Sequence, residues 1–215
     1  MTAVSVEELL SRASSRVEVH PGDARSTSAF ARVEIDGDRY FVKRLSPASD
    51  WIMRITGDHV HRPFLVWEAG VMDRTPDCID HTVVAMGIAG HGDEAELTMV
   101  MRDVAPWLVP EGDDVVPETQ HRGFVEHLAA LSAGFWGWQD ATGLLTTMEE
   151  RVRFFAPDNI AAELSVRDVP GPIAAADAGW RALLDLSPLL SSVAQALHAQ
   201  PELVTGSLAL SLIHI

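Results

Sequence analysis

Lysine is almost missing from this chain of 215 residues: it has 16 basic side chains, and all but Lys43 are arginine. Positive charge as a whole is scarce, with 31 Asp and Glu giving a formal net charge of −15. That balance argues against nucleic acid and anionic membrane as partners, because both need clustered Lys and Arg. Cysteine is also single. Cys78 alone allows neither an intrachain disulfide nor a thiolate metal cluster, and it reads as a free structural thiol. No run reaches the ~18 consecutive apolar residues of a membrane helix. The opening stretch MTAVSVEELLSRASSR lacks a charged start followed by an apolar core, so no secretory signal is read and a cytoplasmic setting is the expectation. What is present in ordinary amount is apolar surface, 47% of residues, enough for one sizeable domain or two small lobes.

The order of patterns runs from strands to helices. Ser5 with Glu8 three residues on is a capping-box pattern opening a short helix. RVEVH, FARVEI and RYFVKRL alternate apolar and polar residues and read as three antiparallel strands, with Asp36-Gly37 as the hairpin turn between the last two. SPASDWIMRITGD predicts a capped helical turn ended by Gly57. RPFLVWEAGVMDRTP predicts a helix with Phe64, Glu68, Val71 and Met72 on one face and a stop at Pro76. HTVVAMGIA and AELTMVMRDV predict two more strands hinged at GHGDE. APWLVPEGDD breaks the pattern, and beyond it the chain turns helical and amphipathic. Strands followed by helices imply an α+β fold of two lobes, residues 1–103 and 104–209.

Lys43 and Glu68 carry the chemistry. Strand alternation turns Lys43 to the face opposite Val42. The helical spacing places Glu68 among apolar residues, where a carboxylate needs a partner because an unpaired buried charge is costly. A lysine on the adjoining strand can be that partner. A strand lysine, a helix glutamate and a small-residue loop in this order resemble the nucleotide cradle of kinase-like phosphotransferases, in which the ammonium meets the α- and β-phosphates.

These stretches resemble the aminoglycoside phosphotransferase family of the protein-kinase-like fold, over roughly residues 5–205. RYFVKRL resembles the family's phosphate-lysine strand, and LVWEAGVMDRTP its paired-glutamate helix. LTMVMRDVAPWLVP resembles the strand and hinge against which adenine stacks, and FVEHLAALSAGFWG the first long helix of the C-terminal lobe, with Ser132 where members often carry His. The resemblance implies a kinase-like N-lobe of five antiparallel strands and one main helix, then a mainly helical partial C-lobe. It implies ATP or GTP with Mg2+ as cofactor and a small-molecule hydroxyl as acceptor. Nucleotide contacts are expected from Lys43, Glu68, Ser26, Thr27, Ser28, Met101 at the gate, and Arg102 and Asp103 along the hinge. The loop GDARSTSAF has one glycine, Gly22, where the kinase pattern has three. Asp103 also suits a capping role for the segment after it.

The family's catalytic loop, H-G-D followed by Asn five residues after the Asp, has no match after the hinge. HGD at residues 91–93 precedes the hinge, falls in a hairpin turn, and has Thr98 at the asparagine position. The one asparagine, Asn159, lies at a helix start behind Asp158. No catalytic residue and no metal ligand is therefore assigned. LSLIHI, residues 210–215, resembles the in-frame translation of a transposase sequencing adapter, so the expectation is a gene fragment that stops before its catalytic half and is inactive alone. The other reading is a non-catalytic, kinase-like protein that binds a nucleotide or a partner. His59 and His61 lack a third metal ligand, Trp136 and Trp138 read as core, and Glu149 and Glu150 as a solvated helix face.

Overall fold

A computed structural model describes residues 5–20, 29–109, 114–165, 169 and 171–200. Ser26, Thr27, Ser28 and the LSLIHI segment lie outside the described residues.

The chain opens with helix α1 (Val6–Ser11), whose first turn is capped by the Ser5 hydroxyl accepting the Glu8 N–H at 3.1 Å. Strands β1 (Ala13–Val19), β2 (Ala29–Ile35) and β3 (Asp38–Leu45) follow. The β2–β3 turn places Asp36 at φ 53° and Gly37 at φ 89°, the positive values that a two-residue hairpin turn of the I′ type needs at both central positions. Arg12 pairs with the Asp36 carboxylate, tying the end of α1 to this turn. After β3 come two short helices, α2 (Trp51–Ile55) and α3 (Arg62–Glu68), and a 3-10 turn at Met72–Arg74. Strands β4 (Val83–Ala89) and β5 (Glu96–Arg102) complete the sheet. All five strands are antiparallel, in the order β1-β2-β3-β5-β4.

The sheet is covered on both faces. On one, Ala31, Val33 and Ile35 of β2 alternate with exposed or half-buried residues and join Val42, Ala85 and Val100. Val6, Leu9 and Leu10 of α1 seal this face. The approach is close at Gly87 of β4, where a Cβ would stand 3.3 Å from the Val6 side chain, tight enough that Val6 would have to give slightly. On the other face Leu45, Met86 and Leu97 meet Met53 of α2, Val66 of α3 and Met72.

The helix expected over residues 62–76 is shorter. It ends at Glu68 because Ala69 and Gly70 close it: Gly70 takes φ 65°, its N–H donates to the Trp67 carbonyl (3.0 Å), and the Val71 N–H donates to Val66 (3.1 Å). That pair of bonds is a Schellman stop, which glycine in the left-handed region favours.

Beyond the sheet the chain forms α4 (Glu118–Gly134), α5 (Met148–Val152), α6 (Pro157–Leu164), α7 (Gly171–Leu186) and α8 (Pro188–Ala199). Thr147 and Glu150 form a reciprocal capping box at α5. Ile160 of α6 and Ile173 of α7 enclose Trp51 of α2 in a third cluster, so the helices join the sheet layer through α2. The architecture is mixed α+β. Among the described residues no helix is long and apolar enough to cross a membrane.

Candidate functional site

Lys43 lies on the central strand β3, opposite Phe30 on β2 and Met99 on β5. Val42 is buried under α1, so strand alternation sends Lys43 to the other face, as the sequence spacing requires. Its ammonium stands 5.9 Å from the Phe30 ring centroid, within range of a cation–π contact. Phe41 continues the surface, its ring 5.7 Å from that of Phe30. Met101 pairs with Phe41 across the β3–β5 ladder, so Phe30, Phe41, Met99 and Met101 share this face with the lysine. Burial lowers the Lys43 pKa, because a desolvated ammonium is costlier than the neutral amine; the charge of Asp50 opposes that shift.

Glu68 is not placed as expected. It is exposed at the C-terminal end of α3, and no described ion pair joins it to Lys43. It lies about 200° around α3 from Val66, the buried residue of that helix. Asp50, 2% exposed at the N-cap of α2, accepts the N–H groups of Ile52 (2.8 Å) and Met53 (3.2 Å). Its capping signal is local and readable in the sequence.

The hinge residues divide by role. Arg102 pairs with Asp80. Asp103 accepts the Ala105 N–H at 3.0 Å and faces Arg32 at 3.6 Å, so it caps the segment that leaves the sheet. At this end of the sheet a cavity of about 570 Å3 is lined by Asp38, Tyr40, Arg102, Asp103 and Trp107 among others. A smaller one of about 330 Å3 adjoins it through the shared Arg39 and Asp103, with Val17 and Arg32 on its wall. Neither of these two cavities is lined by Lys43.

The two imitations of a catalytic loop have structural partners. Asp93 of the HGD stretch sits in a 3-10 turn between β4 and β5, with its carboxylate 2.9 Å from the His59 ring. Asn159 donates its side-chain N–H to the Arg153 carbonyl at 2.8 Å. Among the described residues no three His, Cys, Asp or Glu side chains are grouped as metal ligands. Comparison of the chain with protein-family models, curated proteins and solved structures finds no match.

Proposed function

We propose that this chain is the nucleotide-binding part of a kinase-like phosphotransferase, with ATP or GTP bound against the Lys43 face of the sheet and a small-molecule hydroxyl as the acceptor of the parent enzyme. The observation that carries the reading is the placement of the lone lysine. It stands half-buried on the central strand of a five-stranded antiparallel sheet, on a face that also offers two aromatic rings and two methionines. A half-buried ammonium is costly in a resting protein, and a polyphosphate would repay it. Flat apolar side chains beside it suit a purine. The hinge end of the sheet, with Asp103 capping the exit, is the side from which a base would enter.

Phosphoryl transfer needs a base, a second metal-orienting side chain and the metal itself. No residue after the hinge is assigned to those parts, so the chain as it stands is a binder.

MgATP titrated into the full chain by calorimetry tests this. Saturable binding is expected, and Lys43→Met should weaken it by roughly ten- to a hundredfold, the worth of one charge-assisted phosphate contact. The same variant should raise the unfolding midpoint, by about 2–4 °C if removing the buried charge returns about 1 kcal/mol. Equal MgATP affinity in both proteins, or none in either, would sink the nucleotide reading.

A further inference from the structure

The face of the sheet under α1 carries a concavity that the nucleotide reading does not use. Tyr40 packs on the cluster beneath α1, and Arg102 lies directly opposite it across the β3–β5 ladder. Strand alternation therefore puts this floor of the cavity of about 570 Å3 on the side of β3 away from Lys43. Small-molecule sites span ~300–1,000 Å3, so its size fits one such ligand.

The walls are fixed by backbone bonds. The Asp103 N–H donates to the Arg39 carbonyl at 3.2 Å, which closes the ladder at the hinge. The Asp103 carboxylate accepts the Ala105 N–H, and the backbone N–H of Trp107 donates to the Val104 carbonyl at 2.9 Å. The 3-10 turn Ala105–Trp107 is thus pinned at both ends, yet it presents the Trp107 side chain 74% exposed. Thr82, also on the wall, takes φ 59°, a left-handed value that β-branched residues rarely adopt. Its N–H donates to the Asp80 carboxylate and its carbonyl accepts the Arg102 N–H, each at 2.9 Å. Backbone strain held in place by its surroundings is concentrated at ligand-holding sites.

Charge narrows the ligand. Three carboxylates and two guanidinium groups line the cavity. Arg102 pairs with Asp80, whose carboxyl is held below its ordinary range by the Thr82 N–H and by Arg102 itself. Asp103 faces Arg32 of the adjoining cavity. Asp38 and Arg39 remain: both are exposed, and neither has an ion-pair partner among the described residues. Consecutive residues thus offer one charge of each sign, beside an indole and a half-buried tyrosine ring. A polyphosphate would meet a lining with one negative charge in excess, which disfavours it. A zwitterion with both charges on one carbon and a flat ring satisfies every part.

We propose that this cavity is a second binding site, for a free aromatic α-amino acid, with the carboxylate on Arg39, the ammonium on Asp38 and the ring against Trp107. It lies on the opposite face from Lys43, so it stands or falls apart from the nucleotide reading.

Calorimetric titration of the full chain with L-phenylalanine tests this, with phenylacetate and phenethylamine as probes that each lack one charge. L-phenylalanine should bind saturably, and each single-charge probe roughly ten- to a hundredfold more weakly, the worth of one charge-assisted contact. Arg39→Gln should weaken L-phenylalanine by a similar factor and leave phenethylamine unchanged. Asp38→Asn should weaken it likewise and leave phenylacetate unchanged, whereas Trp107→Ala should weaken all three. These positions are exposed, and circular dichroism verifies each fold. No saturation at millimolar L-phenylalanine overturns the proposal. So do single-charge probes that bind as tightly as the amino acid, which needs no variant, or folded variants that keep full affinity. Lys43→Met should leave L-phenylalanine binding intact; a loss there, or competition by MgATP, would move the amino acid to the nucleotide face and overturn the second site.

Discussion

His61 shows how a single side chain can make the fold sensitive to pH. It is 3% exposed, holds φ 56° just before α3, and neither ring nitrogen has a hydrogen-bond partner. Burial lowers its pKa below the ordinary 6.5, with Asp58 pulling the other way. Above that ordinary value both folded and unfolded states hold the ring neutral, and His61 adds no pH dependence. As pH falls below it, the unfolded chain takes a proton that the folded one resists, so stability is lost until the lower folded pKa is passed. The urea midpoint should therefore fall as pH drops below about 6.5, and His61→Asn, which tolerates the left-handed backbone, should flatten that part of the curve. An identical slope in the variant would assign the effect elsewhere. The candidate site was legible in the sequence to the same depth. Lys43 stands out by composition and strand alternation, both local. The exposure of Glu68 does not, because which side of α3 is buried, the Val66 side, is decided by how the helix docks on the sheet.

At the scale of elements, the stop of α3 decides which residues face the core. With Gly70 closing the helix, Met72 is buried from a separate 3-10 turn, while Glu68, about 200° around α3 from buried Val66, is exposed. Space is not the constraint at Gly70, since the nearest atom to an added Cβ is the Asp73 carboxylate at 3.6 Å. The constraint is the positive φ. Gly70→Ala should thus destabilise by about 1 kcal/mol, the cost of a left-handed alanine, with an unchanged urea m-value. A variant as stable as the parent would show that the turn relaxes freely. Elements with strong local signals match the sequence reading closely: the Asp36-Gly37 hairpin and the capped helical turn of α2 followed by Gly57. The end of α3 was marked too, by Gly70, but proline and glycine compete as stop signals and the nearer one prevails.

Across the whole molecule, burial is unevenly shared. The sheet and its two covering layers hold two of the three core clusters, whereas α4, 17 residues long, buries none of its side chains. Phe124, Val125 and Leu128 lie exposed along α4, and Leu189, Leu190 and Val193 along α8. Single exposed apolar residues are ordinary, but these recur at helical spacing and form continuous faces, the arrangement that binds other apolar surfaces. The amphipathic pattern read from the sequence predicts such faces without naming what covers them, since periodicity records orientation and not partner. Against their attraction stands the net charge of −15, which keeps copies apart while it is unscreened. The Debye length falls from ~30 Å at 0.01 M salt to ~8 Å at 0.15 M, so repulsion between chains fades over that range and the apolar attraction does not. Sedimentation of the folded chain should show mass rising with salt, together with binding of a hydrophobic dye at low salt. The double variant Leu128→Glu with Leu190→Glu should lower both, since it places charge in the middle of each face without touching a buried residue. A salt-independent monomer that ignores the dye would mean that these two faces close on each other or on the rest of the chain in solution.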